Sequence, residues 1–160
     1  MDVVRAISNY QFGANVGEQL FPDGTVVEVS KRTGKPKRIY LNGKLLATVR
    51  SNDGLIALTI EGAMRLRALL PSGRFKVVAS NDAIRFIRGG RSLFSKHVLQ
   101  ADPKILPGEE VIIENDKGEV LAVGRAVISG CEMGRFKRGL AVRVRKVRGE
   151  NYEEAEFARA

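Results

Sequence analysis

Apolar positions in the first twenty-one residues fall at Val3, Val4, Ile7 and Tyr10, then at Phe12, Val16, Leu20 and Phe21, spacings of three and four that predict short helices. Gly13 and Gly17 are expected to break them into pieces. After the turn Phe21-Pro22-Asp23-Gly24, the β-branched run TVVEVS (25–30) predicts a strand. A polar basic loop follows at 31–37, kept irregular by Gly34 and Pro36. RIYL (38–41) and KLLATVR (44–50) flank Asn42-Gly43, a hairpin signal because a type I′ turn needs positive φ at both positions. A meander of at least three strands results. LIALTI (55–60) predicts a fourth strand and 59–70 a helix with Ala63, Leu66, Leu69 and Leu70 on one side, which Pro71-Ser72-Gly73 stops.

That stop coincides with a fresh strand, RFKVVA (74–79), so a domain boundary is placed there. Ser80-Asn81-Asp82 then starts a helix whose Ile84 and Ile87 face a core while Arg85 and Arg88 face away. Gly89-Gly90 ends it. RSLFSKHVL (91–99) is expected as one strand, ADPKILPG (101–108) as a turn, and EEVIIEN (109–115) as a strand pairing with GEVLAVGRAVIS (118–129). A connecting turn, helical or irregular, covers 130–139. LAVRVRKVR (140–148) alternates apolar and basic residues and predicts a half-buried strand with a basic outer face. Short strands at regular spacing with one helix point to a small, closed or partly closed β-barrel. The expected architecture is an α+β N-terminal domain (1–72) followed by a small β-barrel domain (74–148), with an acidic tail at 149–160.

Charge changes the picture, because the formal net charge is +9 and it is unevenly spread. Residues 1–73 hold ten cations against six acids, 74–149 hold sixteen against eight, and 150–160 hold one against four. Net charge says little about fold and much about what a surface attracts. A polyanion is the indicated partner.

Several kinds of chemistry are not expected. The single cysteine, Cys131, excludes an internal disulfide framework and a Cys-based zinc site and is read as an interior or turn residue. His97, the one histidine, cannot make a His-based metal centre, and nothing near it completes a catalytic set. Thr33-Gly34-Lys35 fails as a phosphate loop, since Val29 stands where the first glycine belongs and Pro36 where the hydroxyl residue belongs. Gly13 to Gly17 lacks the spacing of a dinucleotide fingerprint. Glu109-Glu110 and Glu153-Glu154 read as surface charge. No apolar run approaches membrane-spanning length and the N-terminus shows no secretory h-region, so an intracellular, cytoplasmic location and no membrane partner are expected. No catalytic residue, metal or cofactor is assigned.

Binding without chemistry fits better. Gly89-Gly90-Arg91-Ser92 could let a nucleic-acid backbone approach, with exposed N–H groups cradling phosphate and Arg88, Arg91 and Lys96 neutralising it, and with Arg85 in the same RNA-binding set; locally the turn reads first as a helix C-cap, and the two are compatible. Phe94 and His97 could offer flat faces to unpaired bases or pack inside. Alternation puts Arg91, Leu93, Ser95 and His97 on one face and Ser92, Phe94, Lys96 and Val98 on the other. Arg125, Lys137, Arg138, Arg143 and Arg145 extend the candidate surface along the later strands.

From Phe75 to Arg148, the motifs NDAIRFIRGGRSLFSKHV, PGEEV, GEVLAVGRAVIS and KRGLAVRVRKV resemble, in order, a PUA domain, the RNA-binding pseudo-barrel of pseudouridine synthases and archaeosine transglycosylases. YQFG (10–13), LFP (20–22) and residues 30–66 resemble the small α+β domain that precedes PUA in archaeal tRNA-guanine transglycosylases. The resemblance implies an archaeal origin, tRNA or another structured RNA as ligand, and an acceptor stem or 3′ end lying near Gly90 to Val98. The transglycosylase's catalytic barrel has no counterpart in these residues. Three readings follow: a tRNA-binding module that acts alone or presents tRNA to a separately encoded transglycosylase; a translation initiation or recycling factor at a ribosomal subunit; and an enzyme built on Asp82, His97, Cys131 or Glu132. Tyr10 to Gly13 and Lys31 to Tyr40 favour the first.

Overall fold

Helix α1 (Asp2–Phe12) opens the chain and buries Val4, Ser8 and Phe12, one stripe at a spacing of four. Tyr10 and Val3, expected on that stripe, are 83% and 60% exposed. The computed structural model describes residues 1–71 and 73–149. It divides into two units, Met1–Ser72 and Gly73–Ala160. The acidic segment from Glu150 onward lies outside the described residues.

In the first unit Gly13 ends α1, but Gly17 breaks nothing. It lies inside α2 (Val16–Leu20), where a β-carbon would meet the Arg5 carbonyl oxygen at 2.2 Å. Its lack of a side chain lets the two helices pack closely. Strands β1 (Val26–Val29), β2 (Pro36–Leu41), β3 (Lys44–Val49) and β4 (Ile56–Leu58) form an antiparallel meander in sequence order. Asn42 and Gly43 both take positive φ at the β2–β3 turn. Gln11 covers β4, its Nε2 donating to the Ile56 carbonyl (3.1 Å) and its Oε1 accepting the Ile56 N–H (2.6 Å). Helix α3 (Ile60–Leu69) is capped by Thr59, whose Oγ1 accepts the Gly62 N–H at 3.1 Å.

The second unit runs β5 (Lys76–Ala79), α4 (Asn81–Arg88), β6 (Leu93–Phe94), β7 (Val98–Ala101), β8 (Glu110–Glu114), β9 (Val120–Ala126) and β10 (Leu140–Val147). The sheet order is β6-β10-β9-β8-β5-β7, with β5 parallel to β8 and the other pairs antiparallel. Its edge strands β6 and β7 are consecutive in the chain and joined by one 3₁₀ turn, Ser95–His97. The sheet therefore curls into a nearly closed barrel, bridged across its seam by covalent chain. The core inside it includes Val77, Ile87, Leu93, Val111, Ile113 and Val142. Residues 130–139 form successive turns without a helix, and Cys131 there is exposed.

Residues 91–99 are thus not the single expected strand. Ser95 is fully buried; its N–H donates to the Gly139 carbonyl (2.9 Å) and its Oγ accepts the Gly134 N–H (3.1 Å). These bonds pull the chain inward and end β6 after two residues. Two-residue alternation still places Leu93 and Ser95 inside and Phe94 and Lys96 outside, but the turn resets the phase so that Val98 is buried.

Asp102, just after β7, holds the start of this unit. Burial opposes its charge, but the N–H groups of Phe75 (2.9 Å) and Lys104 (3.0 Å) and the Arg74 guanidinium (2.6 Å) outweigh it and hold the carboxyl below its ordinary value. The folded state therefore binds that proton less tightly than the unfolded chain. Its contribution is complete above the ordinary carboxylate pKa of about 4 and is lost as pH falls from there through the folded value. Unfolding midpoints followed into acid should drop more steeply for the parent than for Asp102→Asn. Parallel profiles would remove Asp102 from the acid response.

Candidate nucleic-acid interface

Helix α4 packs Ala83 and Ile87 into the barrel core and leaves Arg85, Phe86 and Arg88 outside. Its end is a Schellman-type cap: the Gly89, Gly90 and Arg91 N–H groups donate to the carbonyls of Arg85 (3.1 Å), Ile87 (2.9 Å) and Phe86 (3.0 Å), with Gly90 at φ 85°. Those three amides are spent inside the protein. The expected backbone cradle for phosphate at Gly89-Gly90-Arg91 is therefore not formed, and contact with an anion falls to side chains. What the cap does is reverse the chain and bring Arg91 back over the helix, its guanidinium carbon 6.0 Å from the Phe86 ring centre. Arg85 approaches the same ring at 4.9 Å.

Phe86 and His97 are shared by two hollows. One is open, about 670 Å³, and lined by Asn81, Asp82, Ile84, Arg85, Phe86, Arg88 and His97. The other is a narrower, more apolar slot of about 180 Å³ between Ala83, Phe86, Arg91, Ser92, Phe94, Lys96 and His97. The His97 ring is held near the helix start, where the Ser80 N–H donates to the His97 carbonyl (2.8 Å) and Ser80 Oγ lies 3.4 Å from Nδ1. Phe86 and Phe94 are 41% and 47% exposed, too exposed to serve as core residues. Arg85, Arg88, Arg91 and Lys96 are exposed, and none is ion-paired among the described residues. Flat apolar faces ringed by unpaired cations suit an unstacked base with its phosphates.

The remaining candidates lie elsewhere in the unit. Lys137 and Arg138 are exposed on the turn before β10, which the Ser95–Gly139 hydrogen bond ties to the end of β6. Arg125 is half-buried, its Nε donating to the Gly108 carbonyl at 3.3 Å, and it stands opposite exposed Arg143 in the β9–β10 register. Ser92 is partly committed, its Oγ accepting the Val144 N–H at 3.3 Å. Arg145 is a correction to the expected basic face. Its guanidinium grips both oxygens of Glu110, with Nη2–Oε2 at 2.7 Å, and the Glu110 side chain is 1% exposed. A charge bound in this way is structural.

Residues 2–72 match the family model described as patch-forming domain C2 of tRNA-guanine transglycosylase, and residues 75–148 match the PUA domain. The chain joins a C2 domain to a PUA domain. A tRNA-guanine(15) transglycosylase of Pyrococcus abyssi (strain GE5 / Orsay) is 49% identical over 143 residues, 89% of this chain and 24% of that protein. The Methanothermobacter thermautotrophicus (strain Delta H) protein of the same name is 38% identical over 146 residues, 91% of this chain and 22% of that protein. The chain thus spans about a quarter of the length of the curated relatives it matches, and resembles their C-terminal part. Among solved structures, a hypothetical protein from the hyperthermophilic archaeon Pyrococcus horikoshii OT3 superposes with a TM-score of 0.74 at 26% identity, covering 96% of this chain and 94% of that one. A conserved PUA domain protein of Thermoplasma acidophilum shares the fold at 22% identity, with a TM-score of 0.63 and coverage of 96% and 91%.

Within the PUA domain, Phe86 is the residue of this candidate surface that the sequence-based set lacks. Its signal was present: an aromatic at position 86 falls off the Ala83–Ile87 core stripe and between two arginines of the polar face.

Proposed function

We propose that the PUA domain binds RNA through the surface built by Phe86, Phe94 and His97 with Arg85, Arg88, Arg91 and Lys96, and that its ligand is the acceptor stem and unpaired 3′ end of a tRNA. The observation that carries this reading is the apolar slot walled by Phe86, Phe94 and His97 and flanked by Arg91 and Lys96. A duplex hides its base faces, whereas a single-stranded end can offer one to such a slot. The kinship with tRNA-guanine(15) transglycosylases supports tRNA as the RNA and tRNA modification as the setting. The role is to grip and present the substrate, and the chemistry belongs to a catalytic domain elsewhere, in the same polypeptide or a separate one.

The test is equilibrium binding to a tRNA transcript with and without its 3′ CCA, near physiological salt. Affinity should fall when CCA is removed. Phe86→Ala should cost about tenfold on the intact tRNA, within the range for one base stacked on an aromatic ring, and much less on the truncated one. Equal losses on both RNAs, or none, would move the 3′ end away from this slot.

A further inference from the structure

The loop that precedes β10, Gly134-Arg135-Phe136-Lys137-Arg138-Gly139, holds three cations and no acid. Both its ends are fastened to one residue. Buried Ser95 accepts the Gly134 N–H at its Oγ (3.1 Å) and donates its own N–H to the Gly139 carbonyl (2.9 Å). Gly134 and Gly139 take positive φ, 85° and 90°, which lets the chain turn out of the barrel and back at these two points. Just before the loop Met133 is packed into the barrel core, and just after it Leu140 pairs with Phe94.

The root of this loop stands within the candidate surface, because Ser95 separates Phe94 from Lys96, two residues that line the apolar slot. At its crest Phe136 is 49% exposed, where a ring that closed the barrel would be buried as Met133 is. Arg135, Lys137 and Arg138 are exposed too, and none of them is ion-paired among the described residues. Phe136 is two residues from Gly134 and three from Gly139, so its Cα lies within about 7 Å of the first anchor and about 11 Å of the second. A lone exposed ring is ordinary on a protein surface. A ring set between cations, on a loop tied at both ends beside a slot of aromatic walls, is instead the arrangement that single-strand binding uses: the ring stacks on a base and the cations track the backbone.

We propose that the loop Gly134 to Gly139 is a second single-strand subsite, in which Phe136 stacks on an unpaired base beyond the one held in the slot and its flanking cations bind the adjoining phosphates. The domain thereby favours a tail of several unpaired nucleotides over a short one. This rests on the slot being a site for an unpaired 3′ end; the loop adds a selection for tail length.

The test uses the full chain and tRNA transcripts that end in CCA, that end after the first C, or that lack CCA altogether. Phe136→Ala should cost about tenfold in affinity on the CCA transcript, within the range for one stacked base, and nothing on the two shorter ones. Phe86→Ala should weaken binding of both transcripts that keep a C. The chain contains no tryptophan, so Phe136→Trp places a single fluorescent reporter on the loop. That variant should keep the parental affinity, and its emission should be quenched by the CCA transcript alone. Thermal melting checks that changes at this exposed position leave the fold intact. Equal losses from Phe136→Ala on all three transcripts, no loss on any, or an emission that the CCA transcript does not change would overturn the proposal. The two aromatic variants separate the readings. A tail-dependent effect of Phe136→Ala with none from Phe86→Ala upholds the loop as a stacking site and removes the slot, and an effect of Phe86→Ala alone upholds the slot and overturns the loop.

Discussion

Arg145→Ala should destabilise the fold by about 3 kcal/mol, the usual cost of leaving one partner of a buried ion pair alone. Glu110 lies on β8 with its side chain 1% exposed, and the Arg145 guanidinium reaches both its oxygens from β10, across β9. Truncating Arg145 leaves a carboxylate that is neither solvated nor neutralised by that guanidinium. Replacing both residues by leucine should recover most of the loss, because an apolar pair avoids the desolvation cost that the ion pair must overcome. Urea unfolding of the two variants checks this. A loss below about 1 kcal/mol for Arg145→Ala, typical of an exposed pair, would return Arg145 to the RNA-facing set.

Gly124→Ala should cost a similar amount, about 3 kcal/mol, at the upper end for forcing volume into a packed site. Gly124 is in the central strand β9, and a β-carbon there would meet the Arg143 carbonyl oxygen at 2.2 Å and its carbon at 2.9 Å. The obstruction is backbone, which cannot swing aside as the end of a side chain can. β10 would have to lift away from β9 beside its bulge, where Val144 pairs with Gly124 but Lys146 pairs with Val123. That bulge contains Arg145, so the variant should also weaken the Glu110 pair and add less than its full cost in an Arg145→Ala background. Thermal melting reads the effect, and a variant within about 2 °C of the parent would show that β10 yields easily.

Local signals carried much of the fold. Asn42-Gly43 places the β2–β3 turn and Gly89-Gly90 the end of α4, because each acts on hydrogen bonds within a few residues. What escaped depends on partners far along the chain. Ser95 looks like an ordinary strand residue until its bonds to Gly134 and Gly139 bend the chain, and Arg145 looks like one more outer-face cation until Glu110 claims it. The second departure left a trace in the sequence. Val142 and Val144 are two apart but Val147 comes three later, the phase slip that an inserted residue produces. At the site, the cations and Phe94 were legible as types, while Phe86 needed the helix's core stripe to be fixed first. Gly17 was misread because glycine's two uses, breaking a helix and letting another backbone approach, leave the same letter.

The position of β10 sets an order of events on the ribosome. Among the described residues it is the last strand to be made, yet it sits inside the sheet between β6 and β9, and there β6 has no other strand neighbour. Until Leu140 to Val147 emerge, Leu93 and Phe94 have nothing to pair with and the wall of the slot that Phe94 supplies is unformed. A chain that stops short of β10 can therefore display the basic helix while the slot is incomplete. The slot is therefore completed only once β10 has been made, the step that finishes the barrel.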